Sequence, residues 1–566
     1  MRDDYNKVWK YKEIDDQKVR NIIDGLNISE FLAKVLVATL DIDDIDEISR
    51  FLKPRIKHLN SAFLLNDMEL CVDRIINAVD KKEKIVIFGD YDVDGVTSTA
   101  ILYDFLKRID GVVDYYIPNR IDEGYGLSKV AVDNVMSLEP GLIVTVDCGI
   151  TSIDEVSYIK SKGIDIIITD HHECKNELPD AYGIINPMRE DSTYPFKHLA
   201  GVGVALKVIV ALCDKMGLKD YYLKYMDIVA LGTVADVVSL KDENRIMVRY
   251  GLKKMMKKPN IGIKKIINLI GLDNKIITAS SLGFGLAPRI NAAGRLGDAR
   301  KCVVLLTTED ESKALDIAIT LENENRLRQQ KEQDILEKAI GEIESQNLDD
   351  DSIIVLAGYG WHKGIIGIVA SRITDKYFKP CVVLTIKDGI ANGSARSIKG
   401  FNIFNAINSC KDMLIGFGGH EMAAGLTLNE VYIDDFKKKL NEYALSEFSC
   451  KEIYDSIDVT MELNYEDITV ENAKKLEHLR PFGTDNLVPV FSCSNIRVHD
   501  IKTTGNGKHL RLVLGDSKID AIAFNKGDLI KCIDTNDYID VAFELNRNIW
   551  NGREKVQMII KDFKLV

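Results

Sequence analysis

The ten cysteines of this chain are nowhere clustered, no two lying within 25 positions of each other. That spacing excludes a CxxC-type zinc site and a dense disulfide framework, and leaves reduced, mainly buried thiols as the expectation. Long apolar runs are missing as well. None reaches the roughly 20 residues of a membrane span. No apolar core follows Met1-Arg2-Asp3-Asp4-Tyr5-Asn6-Lys7, so a cytoplasmic protein without a signal peptide is expected. Positive charge is also short: the formal net charge is −13, which excludes a protein that holds nucleic acid by bulk charge alone. Any bound strand must rely on local basic grooves. Internal repeats and low-complexity segments are absent too.

With 46% hydrophobic and 28% charged residues over 566 positions, the chain is expected to be soluble and globular, with about three or four domains. Its most informative stretch is Asp90-Tyr91-Asp92-Val93-Asp94-Gly95, directly behind the apolar run Ile85-Val86-Ile87-Phe88. Carboxylates crowded at the end of a buried strand repel one another, and a divalent cation relieves that repulsion. An EF-hand loop also begins D-x-D-x-D-G, but Ile101 stands where the bidentate Glu belongs, and a strand rather than a helix leads in. On this triplet alone a solvated Asp-rich turn stays open.

Further ligands stand at the ends of later apolar runs. Leu142 to Val146 ends in Asp147-Cys148-Gly149, and Ile166 to Thr169 ends in Asp170-His171-His172-Glu173. Helical stretches from Val96 to Arg108 and from Ile153 to Lys162 separate these runs, which predicts βαβ units around a parallel sheet. In such sheets ligands gather at the carboxyl ends of the strands, where these groups fall. Asp236, closing an apolar helical stretch begun near Tyr222, reads alone as a helix-terminal polar residue and in company as one more ligand. Cys148 reads as a small packed residue, not a nucleophile.

Taken in order, Asp90 to Gly95, Asp147-Cys148-Gly149, Asp170-His171-His172 and Gly232 to Asp236 resemble the motifs of the DHH phosphoesterase superfamily. Within it the chain resembles the RecJ single-strand-specific exonucleases, through Pro288 to Gly297, Trp361 to Gly367, Ser394-Ala395-Arg396-Ser397, Gly418-Gly419-His420 and Arg480-Pro481-Phe482-Gly483. The similarity runs from about residue 50 to the end of the chain.

The expected organisation is α/β. Residues 1–80 read as an N-terminal helical segment, 81–305 as a parallel-sheet DHH catalytic domain, and 306–347 as a long connecting helix, free of proline. Strand-and-helix alternation resumes over 348–452, which the resemblance makes a DHH-associated domain facing the metal site across a cleft. Short alternating runs over 453–566 predict an all-β module, and the resemblance makes it an OB-fold, a platform for single strands.

Oxygen ligands with one imidazole suit manganese or magnesium better than zinc. Carried over from the family motif, Asp92, Asp94, Asp147, His171 and Asp236 are implied to hold two divalent cations, with Asp147 bridging and Asp90 auxiliary. Paired ions of this kind stabilise both attacking and leaving oxygens of an in-line displacement. Adjacent residues project differently, so His172 is expected off the ion of His171. The family implies that it contacts the scissile phosphate, a packing histidine being the alternative.

In the second module, the Gly418-Gly419 amides could approach an oxyanion while His420 donates a hydrogen bond, although a glycine pair also makes a plain turn. Asp90, His172 and His420 form the expected catalytic set. Ser394 and Arg396, read as a loop after Asn392-Gly393, could hold a terminal phosphate. Arg120 and Arg289 are candidates for an electropositive rim, with a structural ion pair as the equal alternative for each. The acid-free cluster Lys253, Lys254, Lys257, Lys258, Lys264 and Lys265 reads as a solvated helix face or as part of a strand groove.

By themselves the residues argue for metal-assisted phosphoester hydrolysis. The resemblance implies more: a 5′-to-3′ exonuclease that degrades single-stranded DNA to 5′-mononucleotides in repair and recombination. A single-strand-binding protein and a helicase are the expected partners, and a monomer the expected state. The competing readings are a DHH phosphodiesterase of short oligonucleotides or cyclic dinucleotides, and an inactive DHH-like replication scaffold. The extra module after about residue 455 disfavours the first, and the intact ligand set disfavours the second.

Overall fold

The computed structural model describes residues 7–119, 123, 126–449, 455–550 and 552–566. They divide into two compact units. One takes in the described residues up to Ile117, Gly126–Ala287 and Ser456–Val566; the other takes in Pro288–Asp455 with part of Pro118–Tyr125.

The first unit is built around a five-stranded sheet in the order Val113–Tyr116, Ile85–Gly89, Leu142–Val146, Asp165–Thr169, Gly183–Ile185. Every pairing in it is parallel. Ile85–Gly89 and Leu142–Val146 are buried along their whole length, which is why their sequences are continuous apolar runs rather than alternating ones. Helices Val93–Arg108, Ile153–Ser161, Gly201–Met216 and Met226–Ala235 complete the layers.

The same unit holds a C-terminal barrel. Val490–Thr504 pairs with His509–Leu514 on one side and with Tyr538–Trp550 on the other, while Ile519–Ala523 and Arg553–Leu565 close the circuit. This closed five-stranded barrel is the expected OB-fold. The N-terminal helical segment packs against this barrel. Val8–Tyr11 pairs in parallel with Ser456–Val459, and Leu32, Val35, Leu36 and Ile48 share one core with Phe491, Val541 and Phe543 of the barrel. Helical periodicity shows that a face must be buried but not against what. Buried Arg245 ties the parts together, donating to the carbonyls of Phe51 (3.0 Å), Leu479 (2.8 Å) and His478 (3.1 Å).

The second unit has a mixed sheet in the order Leu414–His420, Ala423–Asn429, Ile390–Arg396, Cys381–Lys387, Ile354–Tyr359. Only its last pair is parallel. The long helix is Glu311–Gln346. Its C-terminal half is no free connector: Ile335, Ala339 and Ile343 pack with Ile366, Val369 and Ile373 into this unit's core. Residues 288–305 also belong here, so the boundary falls earlier than the expected 305.

Candidate active site

Three of the five sheet strands carry candidate ligands at their carboxyl ends. Ile85–Gly89 ends at Asp90, and Asp92 caps the following helix by accepting the Gly95 amide at 3.0 Å. Asp147, directly after Leu142–Val146, adopts a left-handed conformation with φ 59°, and its amide donates to the Thr169 carbonyl at 3.0 Å. That turn, which aspartate tolerates better than most residues, sends the carboxylate over the sheet's edge. His171 and His172 follow Asp165–Thr169, and Asp236 terminates Met226–Ala235.

The side chains converge. His171 Nε2 lies 3.1 Å from Asp147 Oδ1, 3.7 Å from Asp236 Oδ2 and 3.9 Å from Asp94 Oδ2. Ligand atoms of Asp94, His171 and Asp236 fall within 4.8 Å of one another, as do those of Asp90, Asp92 and Asp147. Asp90 thus stands among the candidate ligand groups. A further set with the same spacing is Asp147, His171 and His172. The two imidazoles lie close together, with centroids 4.4 Å apart and planes tilted by 54°. Asp170 is the cause: it accepts the amides of both histidines (2.7 and 3.2 Å), and it bonds His172 Nδ1 at 2.7 Å. Asn186 donates to the His172 carbonyl at 3.0 Å.

The electrostatics are those of a cation site. Burial and the Asp92 charge, opposed by the Val202 and Gly201 amides, push the Asp94 carboxyl up to about 7. Burial and the charges of Asp94 and Asp92 push Asp236 up to about 9. Asp147 is driven well above its ordinary value by burial and by Asp94, Asp92 and Asp236. Burial, then the His172 charge, lowers His171 to about 4, leaving a neutral imidazole able to offer a lone pair. Burial would raise Asp170, but the His172 hydrogen bond and charge hold it below the usual range. Asp147 Oδ1, His171 Nε2 and Asp236 Oδ2 are buried without a hydrogen bond among the described residues. Buried carboxylate oxygens and an imidazole nitrogen facing one another in this way fit divalent ions with hard oxygen ligands.

Two further contacts support the site. The helix Gly201–Met216 aims its first amides at Asp94: Gly201 N–H donates to Oδ2 at 2.6 Å and Val202 N–H to Oδ1 at 2.9 Å. A helix N-terminus thereby offsets one carboxylate and fixes its direction. The sequence shows only a small-residue apolar stretch there. The other support concerns Val237, next to Asp236, which has φ 63° although it is β-branched, a strained conformation. Thr484 clamps it: its hydroxyl donates to the Val237 carbonyl at 2.8 Å, and its own carbonyl accepts the Leu240 amide at 2.9 Å.

Thr484→Val should therefore weaken manganese binding about tenfold, the scale of lost support around a metal ligand. Adding Val237→Gly should restore much of it, since glycine takes the turn without a clamp. Calorimetric titration of manganese checks both, and equal affinities in all three proteins would refute the positioning role.

In the second unit, Ser394 and Arg396 lie on the strand Ile390–Arg396, not on a loop. The hairpin turn is Asp388-Gly389, with φ 51° and 76°, the backbone a two-residue turn requires. Asn392-Gly393 looks like a turn but lies inside the strand, where a Cβ on Gly393 would come within 2.6 Å of Leu384. Strand register then unites the phosphate candidates. Ser394 pairs with Gly425 and Gly425 with Gly418, while Arg396 pairs with Ala423 and Ala423 with His420. Directly opposed residues share a face, so Ser394, Arg396, Gly418 and His420 line one side of the sheet.

Arg396 donates to Ser394 Oγ at 3.1 Å and to Ser371 Oγ at 3.1 Å. Ser371 belongs to Ile366–Tyr377, the helix that the Trp361 to Gly367 motif opens. Gly419 has φ 147°, and a Cβ there would meet the Ala423 carbonyl at 2.4 Å. Arg289 makes an ion pair with Glu322 at 2.6 Å, the structural alternative weighed for it. Arg120 lies outside the described residues.

Three matched domains fit this geometry: the DHH family N-terminal domain over residues 84–233, the DHHA1 domain over 350–446, and the RecJ OB domain over 459–562. The chain is 39% identical over 559 residues to the single-stranded-DNA-specific exonuclease RecJ of Bacillus subtilis (strain 168), covering 98% of this chain and 70% of that protein. The chain belongs to the RecJ family. It is also 33% identical over 520 residues to RecJ of Escherichia coli (strain K12), covering 88% of this chain and 90% of that one. The crystal structure of RecJ in complex with Mn2+ from Thermus thermophilus superposes with a TM-score of 0.84 at 27% identity, covering 98% of this chain and 79% of that one. A second RecJ exonuclease structure, bound to manganese, matches at 33% identity and a TM-score of 0.61, covering 69% of this chain and 96% of that one.

Proposed function

We infer that the protein is a single-stranded-DNA-specific exonuclease that uses divalent manganese or magnesium. It degrades strands from the 5′ end to 5′-mononucleotides, in DNA repair and recombination. The observation that carries the reading is the convergence of Asp90, Asp92, Asp94, Asp147, His171 and Asp236 in a RecJ-family chain.

Asp92, Asp94, Asp147, His171 and Asp236 would hold two cations, with Asp147 bridging and Asp90 beside it. Bound there, such ions polarise a phosphoryl oxygen and lower the pKa of water. The protein's own groups do the rest. Asp170 fixes the His172 ring, so that it meets a scissile phosphate in one orientation. Gly201 and Val202 hold Asp94. Ser394, Arg396 and His420, with the Gly418 and Gly419 amides, bind the 5′-terminal phosphate and so fix which phosphodiester is cut. Arg120 and Arg289 are the proposed rim. A single-strand-binding protein and a helicase are proposed partners, and a cytoplasmic monomer the working state. Among the described residues no helix is long and apolar enough to cross a membrane.

Digestion of 5′-phosphorylated and 5′-hydroxyl strands, compared in manganese, magnesium and chelator, tests this reading. Arg396→Ala should slow the phosphorylated strand by roughly tenfold more than the hydroxyl strand, the value of one charge-assisted contact. Equal slowing of both would remove Arg396 from end recognition, and release of 3′-terminal nucleotides first would refute the polarity.

A further inference from the structure

The motif Arg480-Pro481-Phe482-Gly483 has no role in the site described above. Its first three residues form one wall of a cavity of about 510 Å³ that lies wholly within the first unit. The helix Asp242–Lys257 and the barrel strand Tyr538–Trp550 supply other walls.

The charges in this cavity are unequally satisfied. Its two acids are neutralised: Glu477 is held by Arg547 at 2.9 and 3.0 Å, and Glu544 by Lys561 at 2.6 Å. Its cations are not. Among the described residues Arg249, Lys253 and Arg480 form no ion pair; Arg249 donates to the Leu52 carbonyl at 3.0 Å, and Arg480 lies over the Phe482 ring at 5.9 Å. Lys254, the neighbour of Lys253 in the basic cluster, is by contrast paired to buried Asp227 at 2.7 Å. The lining also has an apolar part, Phe482, Met256 and Ile276, of which the last two are 52% and 61% exposed.

Phosphates beside flat apolar bodies satisfy such a surface, which is the chemistry of a single strand stacked on an apolar platform. Placement agrees. Two residues beyond Phe482, Thr484 bonds Val237 beside the ligand Asp236, so this wall and the metal site belong to one continuous piece of structure. A chain with net charge −13 also needs such local basic grooves to hold DNA at all.

We propose that this cavity is a remote subsite for single-stranded DNA, in which Arg249, Lys253 and Arg480 take backbone phosphates and Phe482, Met256 and Ile276 take bases. The proposal rests on the exonuclease reading.

The test uses the full chain and a fluorescent strand of about 30 nucleotides, with affinity measured against salt in chelator so that nothing is cut. For single strands each lost phosphate contact lowers the slope of log affinity against log salt by about 0.7. Lys253→Glu and Arg480→Gln should each lower it by at least that much and weaken binding several-fold, and the double variant should add the two effects. Lys253 is exposed, so its variant keeps the test valid should Arg480→Gln misfold. In manganese, the advantage in kcat/KM of the long strand over a tetranucleotide should shrink in both variants. Unchanged slope and unchanged length advantage in Lys253→Glu would overturn the subsite while leaving the exonuclease reading standing. Failure of the unsubstituted chain to hydrolyse any strand would overturn that reading, and the subsite with it.

Discussion

Asp147→Ala should lower hydrolysis of single-stranded DNA in manganese by about 10³-fold or more, because a site of this kind supplies several kcal/mol of charge stabilisation in the transition state. Asp147 stands in two of the three ligand sets and approaches His171 at 3.1 Å. The same substitution should stabilise the protein in chelator. Burial and neighbouring carboxylates raise the folded-state pKa of Asp147 well above 3.8, so ionising it costs folding free energy. That cost is absent below about pH 4 and grows as pH rises beyond the unfolded value. Thermal melts in chelator should therefore place Asp147→Ala above the parent at pH 8, with the gap closing toward pH 4. Substantial activity in the variant, or a lower melting temperature at pH 8, would refute the shared ligand role.

Gly201→Ala should cost about 10²-fold in kcat/KM, the scale expected when reacting groups move by about an ångström. By helix propensity alone, alanine would stabilise this position by up to about 1 kcal/mol. Space decides otherwise. A Cβ on Gly201 would lie 2.8 Å from both Cβ and Oδ1 of Asp147 and 2.9 Å from Asp94 Oδ2, so one methyl group would displace two ligands at once. Manganese affinity and steady-state kinetics on the same preparation check this. A variant that binds manganese normally and cuts at the parent rate would show that the helix N-terminus is not held against Asp94.

The sequence by itself determined the sheet and which candidate ligand groups gather at its edge. Buried β-branched runs can only be strands covered on both faces, and carboxylates placed directly behind such runs must gather at one edge of a parallel sheet. Asp90, Asp147 and His171 were legible for that reason, and Asp236 once they stood beside it. Only the tertiary structure decided the supports. Gly201 lies 107 positions from the Asp94 carboxylate its amide binds, and Thr484 lies 247 positions from the Val237 carbonyl it holds. No local pattern encodes contacts of that range.

Turn chemistry misled at Asn392-Gly393 because its glycine serves close packing inside a strand rather than a bend, and composition cannot tell these uses apart. The partner of the N-terminal helices was illegible for a related reason. Amphipathic helices announce an apolar face without naming its partner, so the burial of the N-terminal helices against a barrel at the far end of the sequence had to be seen in the folded chain.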